Sequence, residues 1–369
     1  MSLETYKPGS YPNLPPPVGT IGIYGWIKNN LFSSITNSLL TILSVTLLYY
    51  LIVGIIDWFF LDAVFDANSR FECKKIDDGA CWAVISRRIG QFVYGFYPEA
   101  ERWRIDITFY TMFVAFAPLL YPDLPKRKYL LWFSGIYPIL AYLFINGGYL
   151  GLSKIEYSLF GGFMLTVIIG VTGIVCSLPI GMLLALGRQS KLTVVRTLCV
   201  CFIEFMRGVP LITLLFVASS MLNYFMPPGT NFSILVRVII MFTFFSAAYI
   251  AEVIRGGIQA IPKGQYEAAD ALGLNYWQTT RFITLPQAMK ISIPGIVNTF
   301  IGLYKDTTLV VVIGLLDPLG IARASLADTK WNGLTIEVYI FVALFFFVSC
   351  LAMSRYSLWL ENKLNTDHK

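Results

Sequence analysis

Charge is what this sequence has least of. Only 14% of its 369 residues are Asp, Glu, Lys or Arg, whereas a soluble domain carries about 25%. That shortfall excludes an ordinary water-soluble enzyme, and a hydrophobic content of 56% excludes a disordered chain. Histidine occurs once, as His368, so neither a zinc site of the usual kind nor histidine acid–base catalysis has residues to build on. There is no Gly-Lys dipeptide, hence no Walker-type phosphate loop, and no Gly-x-Ser-x-Gly elbow. If ATP drives anything here, another polypeptide must bind it; this chain does not read as an enzyme. The six cysteines show no metal-ligand spacing. Cys176 and Cys350 lie in apolar runs, where cysteine acts as a small hydrophobe, and Cys199 and Cys201 are too close for a Cys-x-x-Cys loop. No metal or cofactor is expected. Cys73 and Cys81 share a polar stretch; they can bridge if it faces an oxidising compartment, or stay reduced.

What is present is apolar sequence in long runs, with a mean hydropathy of +0.65. A helix needs about 20 mostly apolar residues to cross the hydrocarbon core. Such runs occur at 36–61, 105–122, 129–147, 158–186, 200–226, 232–254, 291–316 and 336–358. The expected fold is therefore all-α, a polytopic membrane protein with about eight transmembrane helices. The first 20 residues are polar and rich in proline, unlike a cleavable signal, so the first span is expected to be retained. The net charge of +6 reads as a topology signal and not as a nucleic-acid patch. Lys126, Arg127 and Lys128, then Arg188, Lys191 and Arg196, then Arg255, Lys263, Arg281 and Lys290 occupy connections that eight spans place on one side. The positive-inside rule makes that side, and both termini with it, cytoplasmic. The connection 62–104 opposes this with seven basic residues, but it also carries seven acids and exceeds 40 residues, a regime where charge bias weakens. Residues 1–157 then form an N-terminal extension of three helices with a periplasmic loop at 62–104, residues 158–358 a five-helix core, and 359–369 a cytoplasmic tail.

Within the core, the cytoplasmic connection 255–290 holds the most informative pattern. A helix is expected after Pro262 through Gln265, Tyr266, Glu267, Ala268, Ala269, Asp270, Ala271 and Leu272, stopped at Gly273 by a left-handed residue. Asn275 and Gln278 have the spacing of a capping box for a second helix, which carries Trp277, Phe282, Ile283 and Leu285 and ends or bends at Pro286. Such a compact pair can enter a groove on a partner, or lie as an amphipathic loop on the headgroups. The residues alone leave both readings open.

The same residues carry a resemblance. Glu267-Ala268-Ala269, Gly273 and Ile283-Thr284-Leu285-Pro286, at this spacing, resemble the EAA loop of type I ABC importer permeases. The strings Gly181–Arg188, Glu204–Leu211, Ala251–Ile258 and Lys305–Leu309 resemble those of the polar amino-acid permeases. Cys81–Ile85 and Gly95–Pro98, with three extra helices, resemble the M-type permease subunit of general L-amino-acid ABC transporters. The resemblance implies a permease subunit of an ATP-driven amino-acid importer in a bacterial inner membrane. It implies an ATPase subunit into which the loop docks, a homologous second permease in a heterodimer, and a periplasmic amino-acid-binding protein. Glu267, Ala268, Ala269, Gly273, Ile283, Leu285 and Pro286 are then the ATPase-coupling residues.

A free amino acid presents a carboxylate and an ammonium, so its path needs a guanidinium and an opposing carboxylate. Ionisable groups inside spans are functional candidates by default. They are Glu204 and Arg207, three apart on one helix face and able to pair with each other; Glu252 beside Arg255; and Asp306, followed by Thr307 and Thr308. A snorkelling Arg207 and a membrane-edge pair Glu252–Arg255 are the competing structural readings. Two other classes compete with the importer: an ion-gradient secondary transporter, and a channel or passive scaffold. Both leave the three-anchor spacing of the loop unexplained.

Overall fold

The computed structural model describes residues 22–364 apart from 122, 123, 150, 226 and 228–231. The proline-rich start, His368 and the end of the expected tail lie outside the described residues. The helices are α1 (Gly22–Leu31), α2 (Ile35–Ile56), α3 (Arg70–Ile76), α4 (Ala83–Tyr94), α5 (Arg102–Leu120), α6 (Arg127–Asn146), α7 (Gly162–Arg188) and α8 (Thr193–Gly208). There follow α9 (Leu211–Phe216), α10 (Ile234–Gln259), α11 (Lys263–Ala271), α12 (Tyr276–Thr279), α13 (Leu285–Asp306), α14 (Pro318–Ala327) and α15 (Thr335–Leu364). Among the described residues there is no strand, only two isolated bridges, Val64–Cys81 and Gly161–Leu316. An all-helical fold is what lipid demands, because each helix satisfies its own backbone groups.

Six helical segments are long and apolar enough to cross a membrane: Ile35–Leu61, Arg127–Asn146, Gly162–Arg188, Ile234–Gln259, Tyr276–Ile313 and Thr335–Lys363. A seventh arises if α8 and the segment Leu211–Met221 count together, and they meet at a bend of 102°. The expected straight span 200–226 is thereby corrected. Val209 precedes Pro210 and is forced extended, at φ −101° and ψ 132°, so the helix cannot run through. The expected span 105–122 corresponds to α5, which is 19 residues long but opens with Arg102, Arg104 and Asp106. These charges keep it below the apolarity of the other six. Arg104 is fully buried, paired with Glu101 at 2.6 Å and donating to the Ser153 carbonyl at 2.9 Å.

The chain divides into two compact units, Met1–Asp66 with Phe71–Trp82, and Ala67–Arg70 with Ala83–Lys369. In the first, no residue of α2 is buried. Its C-terminal end loosens into a π-turn at Asp57–Leu61, and the following segment folds back on it. Ala80 donates to the Trp58 carbonyl at 2.8 Å, and the Trp82 indole to that of Phe59 at 3.0 Å. Cys73 and Cys81 are joined in a disulfide with Cα atoms 5.8 Å apart, both sulfur-bearing residues buried.

In the second unit α5 and α6 lie with the core helices. The most extensive helix contact is that of α7 with α10. It is close because α7 places glycines against bulky residues. A Cβ on Gly173 would lie 2.8 Å from the Phe242 ring, and one on Gly181 2.7 Å from Ile250. Small residues are how membrane helices approach each other when no hydrophobic force separates protein from lipid. On its other side α10 meets α13, where the Ser292 hydroxyl donates to the Val253 carbonyl at 3.2 Å. Asp317 caps α14, accepting the Gly320 N–H at 2.9 Å, and is fully buried. Burial pushes its carboxyl up to about 6 against the opposing pull of the Gly320 and Leu319 N–H groups.

Candidate functional site

The first candidate is the connection from α10 to α13. Pro262 is the N-cap of α11, one position ahead of its first turn. The helix ends as its sequence dictates. Gly273 takes φ +70°, its N–H bonds the Asp270 carbonyl at 2.9 Å, and the Leu274 N–H bonds that of Ala269 at 3.1 Å. This is a Schellman motif, which only glycine adopts without strain. Asn275 and Gln278 then close a reciprocal capping box, with both bonds at 3.0 Å.

Of the expected end or bend at Pro286, an end is not found. From α12 the backbone passes through a π-turn at Thr280–Thr284 straight into α13, giving one continuous helix Tyr276–Ile313. Pro286 sits in the first turn of α13, where a missing N–H is tolerated because the π-turn has already broken the i to i−4 pattern. Ala269 is buried beneath the turn, and the Gln287 amide donates to the side-chain Oε1 of Gln265 at 3.1 Å, tying α13 to α11. Glu267, Ala268, Gly273 and Pro286 are exposed, while Ile283 and Leu285 are half-buried. Beside them stand Leu272, Trp277 and Phe282, exposed to 76%, 73% and 65%. Glu267 has no hydrogen-bond or ion-pair partner among the described residues. A rigid turn thus presents an apolar patch with an unpaired carboxylate beside it.

The second candidate is an ionic cluster at the ends of α7, α8 and α10. The expected pair Glu204–Arg207 does not form. Glu204 takes Arg188 at 2.8 Å, and Arg207 turns to Glu252 at 3.7 Å with its guanidinium 5.7 Å over the Tyr249 ring. The cause is tertiary: the α8 end packs on α7 and α10, which offer stronger partners than a residue one turn away. Glu252 is the hub. One oxygen accepts Arg255 at 2.7 and 2.5 Å, the other faces Arg188 at 3.1 Å and Arg207. Three guanidinium groups thus surround two carboxylates, leaving one positive charge in excess. Arg188 escaped the sequence reading because it stands in a basic connection; the signal was the two acids inside spans that need more cations than their own helices supply. The Glu252 side chain is 19% exposed and that of Arg207 34%, so solvent reaches the cluster.

Asp306, Thr307 and Thr308 are not part of it. Along α13 Asp306 stands 14 residues beyond Ser292, which touches α10 near Glu252, about 21 Å at helical rise. The Thr307 hydroxyl donates to the Tyr304 carbonyl at 2.7 Å and that of Thr308 to Lys305 at 2.9 Å. Both serve their own helix.

Comparison with known proteins identifies the chain. Residues 177–366 match the family described as binding-protein-dependent transport system inner membrane component. A glutamate/glutamine/aspartate/asparagine transport system permease protein, BztC of Rhodobacter capsulatus, is 45% identical, with 96% of each chain covered. An inner membrane amino-acid ABC transporter permease protein, YhdY of Escherichia coli, is 47% identical over 92% of this chain and 93% of its own. Among solved structures, one of an amino acid ABC transporter with histidines is 30% identical, covering 54% of this chain and 91% of that one at a TM-score of 0.49. With a family match over half its length and two relatives matched almost end to end, the chain belongs to the inner membrane components of binding-protein-dependent transport systems, the permease subunits of ABC transporters.

Proposed function

We propose that this permease forms the membrane path of an ATP-driven amino-acid importer and couples, through residues 255–290, to an ATPase carried by a separate subunit. The observation that carries the reading is the unbroken helix Tyr276–Ile313, which joins the exposed turn to the bilayer. Leu272, Trp277 and Phe282 supply apolar contact for a groove on the ATPase, and Glu267 a charge to fix its register. Glu267, Ala268, Gly273 and Pro286 are its exposed elements. Ala269, Ile283 and Leu285 hold the turn in shape.

The basic residues at 126–128, 188–196 and 255–290 support a cytoplasmic position for this end and both chain termini, in a bacterial cell. The disulfide Cys73–Cys81 then lies on the oxidising side. A homologous second permease pairs with this one, and a periplasmic binding protein delivers the substrate. The named substrates of the BztC relative make the cargo an amino acid. The surplus guanidinium of the ionic cluster is suited to a carboxylate. Arg207, the most loosely held, is the group to receive it, while Glu252 and Glu204 face the ammonium.

The test is reconstituted uptake together with substrate-stimulated ATP hydrolysis. Proline cannot adopt φ +70°, so Gly273→Pro is expected to abolish both while the subunits still assemble. Transport and stimulation that survive this change would end the coupling reading. An ion-gradient carrier would purify without an ATPase and would take up substrate without ATP.

A further inference from the structure

A cavity of ≈ 400 Å³ lies within the second unit, among α5, α6, α7 and the first turns of α10. It falls in the size range of sites that hold small molecules, about 300–1,000 Å³. Its walls run from Phe163 to Cys176 on α7 and from Ser134 to Asn146 on α6. Those thirteen steps of α7 extend about 20 Å, rather more than one leaflet of hydrocarbon. The cavity therefore spans the half of the bilayer in which α5 and α7 begin.

Its lining is almost wholly apolar, and nearly every polar side chain on it is already used. Ser134 donates to the Ala115 carbonyl at 2.6 Å, Tyr137 to that of Thr108 at 2.6 Å, and Tyr142 pairs with Tyr157 at 2.9 Å. Asn146 is the exception. It is 6% exposed, and its Oδ1 accepts no hydrogen bond. A buried amide oxygen left without a donor is costly, and such a group marks a missing partner. Asp106, at the same end, binds the Tyr94 hydroxyl at 2.6 Å through one oxygen only. The Arg102 guanidinium sits 5.2 Å over the Tyr94 ring, and its Nε is buried and donates to nothing. The same guanidinium pairs through Nη1 with the exposed Glu99 carboxylate at 3.2 Å, so the polar end of the cavity offers two acceptors and, beside them, an arginine with one unused N–H.

We infer that this cavity is a binding site for a phospholipid with an ammonium headgroup: one acyl chain fills it, Asn146 and Asp106 receive the ammonium, and Arg102 the phosphate. An apolar wall about 20 Å long with polar groups gathered at one end matches a chain of methylenes bearing a polar head, the occupant the bilayer itself supplies. The site would wedge the pair α5–α6 against the family core and fix how closely they pack.

The test uses the whole transporter in nanodiscs containing phosphatidylethanolamine with a diazirine in its acyl chain. After illumination, adducts are mapped by peptide mass spectrometry. Helix α2, which has no buried residue, reports labelling that comes from bilayer contact alone. Peptides 134–146 and 163–176 are expected to be labelled several-fold above α2. Filling the site with Val167→Trp is expected to lower that labelling about tenfold and leave α2 unchanged. Ala141→Phe, on the opposite wall, makes the same comparison should the tryptophan not fold. Labelling no higher than that of α2, or indifferent to the filling that folds, overturns the site. Equal labelling by the phosphatidylglycerol analogue, or none of the expected loss of preference in Asn146→Leu, overturns the ammonium assignment.

Discussion

The turn between α11 and α12 and the cluster around Glu252 are both made of residues that the sequence singles out, yet they are built from different kinds of information. In the turn, the bonds that close and cap it span five residues or fewer, from Ala269 to Leu274 and from Asn275 to Gln278, and the longer Gln287–Gln265 bond only ties it to the start of α13. In the cluster only the Arg255–Glu252 bond is local; Arg188, Glu204 and Arg207 reach it from other helices. Local bonding gives a part that keeps its shape when its surroundings move. Bonding between helices gives a part that changes whenever they shift. In the function proposed above, the first belongs where motion would enter and the second where it would take effect.

The contrast can be broken in four ways, of decreasing size. Gly273→Pro strikes the local element at the one residue with no alternative, and the expected outcome is complete loss of uptake with assembly retained. Asp317 mixes the two kinds, being a local cap that is buried by distant packing. Its folded pKa of about 6 exceeds the ordinary aspartate value of 3.8, so the folded state holds the proton more tightly. This contribution is full below about pH 4 and is lost as pH rises through about 6, on the order of 3 kcal/mol in all. Tryptophan-fluorescence melts between pH 4 and 7 should show that loss, and Asp317→Asn, which still accepts the Gly320 N–H, should flatten it. Glu252→Gln leaves three guanidinium groups facing a neutral hub. It is expected to lower stability by about 2 kcal/mol, discounted for solvent access, and to change the substrate KM. A melt and a KM that both match the wild type would remove the cluster from the path. Asn275→Ala removes one cap bond and should cost about 1 kcal/mol, seen as faster amide exchange confined to 275–279.

How much could be read in advance follows the same division. Gly273, Asn275 and Gln278 were legible because caps are decided by neighbours in sequence. The long apolar runs were legible because lipid imposes them. The bend at Val209–Pro210 was also written locally, but the apolar count ran through it; the proline should have outweighed the hydropathy. Pro286 misled in the opposite direction, since whether a proline ends a helix depends on the turn before it, and the π-turn at 280–284 has no sequence signature of its own. The partners of Glu204 and the union of Cys73 with Cys81 depend on which segments meet in space. So does the cavity beside Asn146, because no spacing along the chain announces that the helices around it will fail to close.

The continuous helix from Tyr276 to Ile313 has 38 residues and measures about 55 Å, against a hydrocarbon core of about 30 Å. In the coupling proposed above it would work as an oar does in a rowlock: with the bilayer as pivot, a push of a few ångströms on the blade near Trp277 would sweep the grip near Asp306 by a similar distance the other way. The π-turn between blade and shaft and the proline at position 294 would set how much of each stroke is lost in flexing.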